Sequence, residues 1–532
     1  MSELLHDLIR LGAEAAPDRE ALAGGKGQVR TYGELWGEVD AVARGLSGGH
    51  LHRGERVAVY LDKRIETVTA IFGTAAAGGV FVPLNPLLRA RQVGYILRDC
   101  NVRVLITSKD RFKGLTEELG ECADLRTIVL VDGTDGVEHS LCEPEVVSWD
   151  DLLAAASLAR PPHRVIDTDM AAILYTSGST GMPKGVVLSH RNMVAGARSV
   201  SQYLENNADD VILSVLPLSF DAGFSQLTTA FCVGAKVVLM NYLLARDVVR
   251  RCATEGVTGL TCVPPLWIQL SQQDWPEEAA GKLRYFANTG GHMPKPTLDK
   301  LRGHFFNAKP YLMYGLTEAF RSTYLDPDEV DRRPDSIGKA IPNAEILVVR
   351  PDGTPCQPGE QGELVHRGAL VALGYWNDPE RTAQRFKPAP GQPEGIVNPE
   401  LAVYSGDLVR TDEEGFLYFV SRNDEMIKTS GYRVSPTEVE DVIYASGLAG
   451  ECVALGIPHP VLGHGIVVVA TPPEGGTFGG EALLMHCKQQ MPQYMVPAKI
   501  VERDSIPRSP NGKMERKGLN DEHADLFKDI ET

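Results

Sequence analysis

Apolar and polar positions change rhythm along the chain. RVAVYLD at 56–62 is a short apolar run, which reads as a strand covered on both faces. Ile65 to Ala77 reads as a helix stopped by Gly78 and Gly79, and GVFVPLN follows as a second strand. Arg89 to Cys100 has helical spacing, and VRVLITS is a third strand. The rhythm returns in AKVVLM, then Asp247 to Glu255, then VTGLTCV, LWIQLSQ and LRYFANTG. Strand–helix–strand repetition predicts an α/β fold with mostly parallel sheets covered by helices. Ligands are then expected at the C-terminal ends of the strands.

From about Pro342 the texture shifts. AEILVV, GELVHRG and FLYFV are short strands separated by turns such as Asp352-Gly353 and Glu414-Gly415. This predicts a small β-rich subdomain over about 342–421. A compact α+β segment follows Arg422. Ser435-Pro436-Thr437-Glu438 has the pattern of a capping box with proline at the first helical position, so a helix through Ile443 is expected. CVALGI, IVVVAT and AKIVER are later strands. A chain of 532 residues exceeds one compact core. The expected division is a large N-terminal domain, 1–421, and a small C-terminal domain, 422–532. No internal repeat or low-complexity tract interrupts it.

Composition narrows the function. Hydrophobic content of 43% and charged content of 23% are those of an ordinary globular protein. A net charge of -17 argues against nucleic-acid binding through a basic face. An anionic ligand would need locally placed cations and backbone N–H groups. Nine cysteines without a C-x-x-C pair predict reduced thiols, no disulfide frame and no zinc site. Met1 to Arg10 carries Glu3 and Asp7 and no apolar core, so no signal peptide is expected. The run from Val68 to Val82 is too short and too broken by glycine to cross a bilayer. A cytoplasmic protein without membrane insertion is expected.

One segment stands out chemically. YTSGSTGMPKG, 175–185, follows the apolar strand AAILY. Gly178, Gly181 and Gly185 let a backbone approach an anion. Thr176, Ser177, Ser179 and Thr180 add hydroxyls, and Lys184 adds a charge, which is a phosphate cradle by composition. It is not a Walker loop, because Pro183 stands where the second glycine belongs.

With this segment the chain resembles the acyl-adenylate-forming superfamily, which comprises acyl- and aryl-CoA synthetases, firefly-type luciferases and peptide-synthetase adenylation domains. The resemblance covers essentially the whole chain. YGLTE lies at 314–318, GELVHRGALVALGYWNDPE at 362–380 and YSGDL at 404–408, followed by SRNDEMIKTSGYRV at 421–434 and PRSPNGKMERKGL at 507–519. It implies an ATP- and Mg²⁺-dependent enzyme with a small mobile C-terminal domain. Tyr314 would stack on adenine beside Gly315, Thr317 would touch the α-phosphate, and Glu318 would bind Mg²⁺. Gly290 and Gly291, in NTGGHMP, match an adenine-side loop. Leu312 replaces an Asn or Gln that relatives often use on adenine. Asp407 and Arg422 would hold the ribose. Asp424 matches the hinge and Gly431 the pantetheine path. Lys513, after the turn Pro510-Asn511-Gly512, would bridge the substrate carboxylate and the α-phosphate. Lys184 would act on the β- and γ-phosphates.

The acid is read from LPLSFDAGFSQ, 216–226. Phe220 stands where many acyl- and aryl-CoA synthetases carry a histidine. Asp221 matches the aspartate that pairs with an α-ammonium in amino-acid-activating relatives; otherwise it caps the following helix. Trp267 and Asn288 are candidate pocket walls, with core packing the alternative for Trp267. RRPDSIGKAIPNAEILVV and LMYGLTEAFRSTYL resemble acyl-CoA ligases associated with exosortase A systems. The expectation is an amino acid activated as its adenylate and loaded on a stand-alone acyl or peptidyl carrier protein. The alternative is transfer of an acyl or aryl acid to coenzyme A. A nucleotide-binding scaffold without chemistry is disfavoured by the presence of Glu318, Asp407 and Lys513 together.

Overall fold

Four helices lie between two sheets, and their sequences explain why. Ile65–Ala76 and Asp221–Val233 are apolar or small almost all round, and nearly every residue of each is buried. A helix without a polar face has to be covered on every side. Tyr32–Gly48 and His190–Tyr203 complete the layer and share one core with both sheets. Phe72, Phe81, Phe224 and Phe231 meet at its centre.

The computed structural model describes residues 3–137, 144–156, 162–176, 183–393, 395–422, 426–429, 432–460, 462–491, 493–509 and 512–528. In the first sheet Arg56–Tyr60 is flanked in parallel by Val80–Pro83 and Val102–Thr107. Thr127–Leu130 and Glu145–Ser148 extend one side in parallel, and Met170–Thr176 the other. Met170–Thr176 then turns back, antiparallel, into Lys184–Ser189, whose other side carries Gly374–Tyr375.

The second sheet is parallel through Lys236–Leu239, Val211–Ser214, Gly259–Cys262, Tyr285–Asn288 and Lys309–Tyr314. Thr323–Leu325 and Ser336–Ala340 continue it in antiparallel sense. Leu417–Arg422, Leu401–Thr411, Gln361–Gly368 and Ala344–Val349 follow, also antiparallel. The β-rich stretch therefore joins the parallel sheet edge to edge. The pairing turns antiparallel at Thr323, ahead of the change of texture near Pro342. Antiparallel strands need only short turns, whereas parallel strands need crossover connections.

Past residue 425 the chain builds its own core. Ile427–Thr429 pairs with Tyr432–Val434, and Gly463–Ala470 pairs with Cys452–His459 and Lys499–Glu502. Pro436–Ser446 and Gly480–Gln490 cover one face, and Arg516–His523 the other. Pro436 is the first helical residue, as expected, but the capping box does not form. The Ser435 hydroxyl donates instead to the Val420 carbonyl. Ser435 is buried, so its hydroxyl needs a firm acceptor, and the backbone across the junction supplies it. Glu440 ties this helix inward, accepting from Ala454 N at 2.7 Å and from Arg516 Nη1 at 2.6 Å. Among the described residues, no helix is long and apolar enough to cross a membrane, and every cysteine is a free thiol.

Candidate active site

At one end of the site two strands present a cation to a carboxylate. Thr176 and Lys184 face each other in register where the hairpin closes. Ser177, Gly178, Ser179, Thr180 and Gly181 lie outside the described residues. Gly185 has a different role from the anion approach expected of it. It sits within the strand, where a Cβ would meet Ile173 at 2.6 Å, so its lack of a side chain serves packing across the hairpin. Lys184 Nζ donates to Glu318 Oε1 at 2.7 Å and to Tyr375 OH at 2.9 Å. Tyr375 OH in turn donates to the same carboxylate oxygen at 2.6 Å. Glu318 sits on the short turn Thr317–Ala319 that follows the strand Lys309–Tyr314. Burial alone would raise its pKa, but the Lys184 charge and the hydrogen bonds from Lys184 and Tyr375 bring it down to about 2. Sequence reasoning misses Tyr375, whose only signal is its place in GYWNDPE.

A second group forms where the sheet turns antiparallel. Tyr314 OH donates to Asp407 Oδ2, and its ring leans on Phe419. Asp407 and Arg422 are directly paired across adjacent strands, with Arg422 Nε 3.8 Å from Asp407 Oδ1. That oxygen is buried and accepts no hydrogen bond. Burial raises the pKa of Asp407, opposed by Arg422, by the Tyr314 hydrogen bond and by Lys513. Nearby, Tyr285–Asn288 leads into Gly290, at φ 77°, and Gly291. Asn288 Nδ2 donates to Gly291 O at 2.8 Å, and its Oδ1 has no partner. A Cβ on Gly290 would stand 3.8 Å from the Phe220 ring, which places Phe220 against this loop. Gly315 lies tight against the Arg321 backbone. Trp267 is fully buried in the core, its indole N–H donating to Ala287 O at 3.1 Å and its ring set edge-on to Phe286. Leu312 is buried as well.

The third group contains the largest departure from expectation. Asp221 is the first residue of its helix, not the cap, and Phe220 holds the cap position without a side-chain bond. Arg321 Nη1 lies 3.1 Å from Asp221 Oδ2, with the two side chains only 3% and 5% exposed. Thr317 Oγ1 lies 3.4 Å from Asp221 Oδ1. Burial still raises the pKa of Asp221, against the opposing charges of Arg321 and Lys513. Arg321 is absent from the residues singled out by sequence. It follows Phe320, whose φ of 58° is rare for a residue with a side chain.

Lys513 reaches the site from the small domain. Its loop is tight: Ser509 N donates to Lys513 O at 2.7 Å, and Gly512 N to Ser509 O at 2.8 Å. Arg508 supports it, donating to Gly512 O at 3.0 Å and pairing with Glu451. A Cβ on Gly512 would lie 3.8 Å from Val263, so the loop tip rests on the large domain. The Lys513 charge acts on both Asp221 and Asp407. His292, in the NTGGHMP loop, and Asp441 are 3.3 Å apart across the same junction. Asp424 and Gly431 lie outside the described residues.

The profile of the AMP-binding enzyme family matches residues 10–376, and that of the AMP-binding enzyme C-terminal domain matches 438–513. The chain belongs to the AMP-binding enzyme family. It is 30% identical to the sulfoacetate–CoA ligase of Cupriavidus necator, over 97% of both chains. It is 28% identical to the long-chain-fatty-acid–CoA ligase of Salmonella typhimurium, over 93% of this chain and 90% of that one. A linear gramicidin synthase of Brevibacillus parabrevis matches 97% of this chain at 27% identity, using 9% of its own length. The anthranilate CoA ligase AuaEII, solved with anthranoyl-AMP, has the same fold, with a TM-score of 0.87 over 99% of this chain and 98% of that one at 23% identity. An o-succinylbenzoate CoA synthetase of Bacillus subtilis, solved with ATP and magnesium, gives 0.81 at 25% identity over 96% and 98%. AMP-forming acid–CoA ligase activity is the function that this membership supports.

The polar groups fit ATP. Thr176 Oγ1, Asn288 Oδ1 and Asp407 Oδ1 are buried without protein partners, which leaves them open to a polar ligand or a water. Among the described residues, no group of three or more His, Cys, Asp or Glu could hold a metal ion. Magnesium on a triphosphate asks for only one or two protein carboxylates, and Glu318, held ionised, meets that need.

Proposed function

We propose that the chain is an AMP-forming ligase that joins a small carboxylic acid to ATP and passes the acyl group to coenzyme A. The observation that supports this reading is the match to the family over residues 10–376 and 438–513, with Lys513 carried on a loop whose Gly512 lies against Val263 of the large domain. In the first half-reaction a carboxylate oxygen attacks the α-phosphorus. The bond from that phosphorus to the bridging oxygen breaks, and pyrophosphate leaves with the electron pair. Two anions approach while charge spreads, so a positioned cation is worth ~3–4 kcal/mol. Lys513 takes that role, and the Thr317 hydroxyl donates to an α-phosphate oxygen. Lys184 turns from Glu318 to the β- and γ-phosphates, with the cradle of Thr176, Ser177, Gly178, Ser179, Thr180 and Gly181 around them. Glu318 would hold Mg²⁺, which neutralises phosphate charge. Asp407 and Arg422 take the ribose hydroxyls, and Tyr314, Gly315, Gly290 and Gly291 bound the adenine. Phe220 and Asn288 wall the acid side. In the second half-reaction the thiol sulfur attacks the acyl carbon, AMP leaves, and the thiol proton passes to solvent. Asp424 would serve as the hinge and Gly431 would line the pantetheine path.

A second reading keeps the first half-reaction and changes the acid and the acceptor. Asp221 stands beside Thr317, where an α-ammonium would find it, and the thiol would then belong to a carrier protein. Arg321 already occupies that carboxylate, which favours an acid without an ammonium. Acid-dependent ATP–pyrophosphate exchange, followed by mass detection of the CoA thioester, tests the pair. Exchange with a small acid, thioester formation and loss of both in Lys513→Ala support the proposal. Exchange only with an amino acid, and no thioester with CoA, overturns it in favour of the carrier reading.

A further inference from the structure

The helix Ala90–Asp99 ends on a carboxylate, an unfavourable place for one, because the negative end of the helix dipole lies there. Asp99 is engaged through both its side chain and its backbone. Its Oδ2 accepts from the Tyr175 hydroxyl. Its carbonyl belongs to the last turn, where a helix leaves carbonyls without internal partners. It accepts from the Trp376 indole N–H at 2.9 Å and from Asn377 Nδ2 at 2.9 Å. One turn earlier on the same helix, the Tyr95 hydroxyl donates to Pro183 O at 3.3 Å. These partners all adjoin the cluster of Lys184, Tyr375 and Glu318. Pro183 precedes Lys184, and Tyr175 pairs with Gly185, the residue after it. The Tyr175 ring lies over Gly185, where a Cβ would meet its Cζ at 3.1 Å. Trp376 follows Tyr375, and its backbone N donates to Gly185 O at 2.8 Å.

We propose that Asp99 is a positioning residue for phosphate binding, which holds Lys184 and Tyr375 in place from behind. The inference rests on the reading above that Lys184 serves the β- and γ-phosphates, and it adds a residue to that reading. A lysine is a point charge on a flexible stem, so where it acts depends on the backbone that carries it and on the groups that receive it. Tyr375 is one of those groups, and it ends a two-residue strand at the edge of the first sheet. So short a strand has little pairing of its own, and the Asp99 carbonyl ties down the two residues that follow it. The Asp99 carboxylate ties down the opposite side of the hairpin through Tyr175. A binding group is held to its working geometry when the residues around it are themselves fixed by hydrogen bonds. Asp99 therefore acts through Tyr175 and Trp376.

The test measures binding of MgATP and of AMP to the full-length chain by calorimetry, and needs no acid. AMP lacks the phosphates that Lys184 serves, so a displaced Lys184 should be felt by MgATP alone. Asp99→Ala should weaken MgATP binding by about 10-fold, as for other partners that orient a binding side chain, and leave AMP binding unchanged. Asp99→Asn keeps an acceptor for the Tyr175 hydroxyl and should bind MgATP close to wild type. Tyr175→Phe removes the same bond from the other side. It should reproduce the loss in the wild-type chain and add nothing in Asp99→Ala. If Asp99→Ala does not fold, Tyr175→Phe carries the test by its contrast between MgATP and AMP. Unchanged MgATP binding in the variants that fold, or an equal loss of AMP and MgATP, overturns the inference and leaves the ligase standing. MgATP binding that is absent in the wild-type chain, or unaffected in Lys184→Met, overturns the reading of Lys184 and the inference with it.

Discussion

The site contains two buried ion pairs with nearly the same chemistry and different prospects. Lys184 and Glu318 are 2.7 Å apart, with 19% and 13% of their side chains exposed. Arg321 and Asp221 are 3.1 Å apart, with 3% and 5% exposed. The first pair sits at the mouth of a hairpin and shares a tyrosine hydroxyl. The second is sealed under a helix whose residues are almost all buried. An arginine fork suits a fixed geometry, whereas a lysine is a mobile point charge. The same electrostatic motif is therefore half-open at one end of the site and locked at the other.

Removing one partner from each pair should separate them most strongly. Arg321→Met leaves the Asp221 carboxylate uncompensated in the interior and should cost ~3–5 kcal/mol of stability, read by denaturant unfolding. Near-wild-type stability would mean that Asp221 has another partner. Lys513→Ala stands apart from both pairs. It should lower acid-dependent pyrophosphate exchange by about 10²–10³-fold with ATP binding nearly intact, the scale of one oriented electrostatic contact. Normal exchange would remove Lys513 from the chemistry. Lys184→Met should cost less stability than Arg321→Met, because Glu318 keeps the Tyr375 hydroxyl as a donor. Its main effect should be a higher KM for ATP.

Titration supplies the gentlest contrast. The folded pKa of Glu318, about 2, lies below the usual 4.5. Its contribution to stability is therefore full above pH 4.5 and is lost as pH falls toward about 2. Asp221 is shifted the other way by burial, so its contribution is present at low pH and declines as pH rises through its folded pKa. Melting temperatures of Glu318→Gln and Asp221→Asn across the acid range should therefore depart from wild type with slopes of opposite sign. Slopes of the same sign would mean that the two pairs share one environment.

Much of this was legible before any fold was known. The alternation of apolar runs and helical spacing foretold parallel sheets, and the motif strings carried the family to which the chain belongs. Three particulars were beyond that reading. Ser435 carries a capping pattern, yet its hydroxyl turns to Val420 because a strand passes there. Gly185 sits in a phosphate-binding string, yet its bareness serves Ile173. Arg321 carries no local signal, and its partner Asp221 is 100 residues away. Periodicity and motif spacing are properties of neighbours along the chain, so the sequence by itself determined the fold class, the order of elements and the family. The partner of a buried charge depends on which distant strands and helices close around it. Only the tertiary structure decided that Asp221 would face an arginine and that Lys184 would face Glu318.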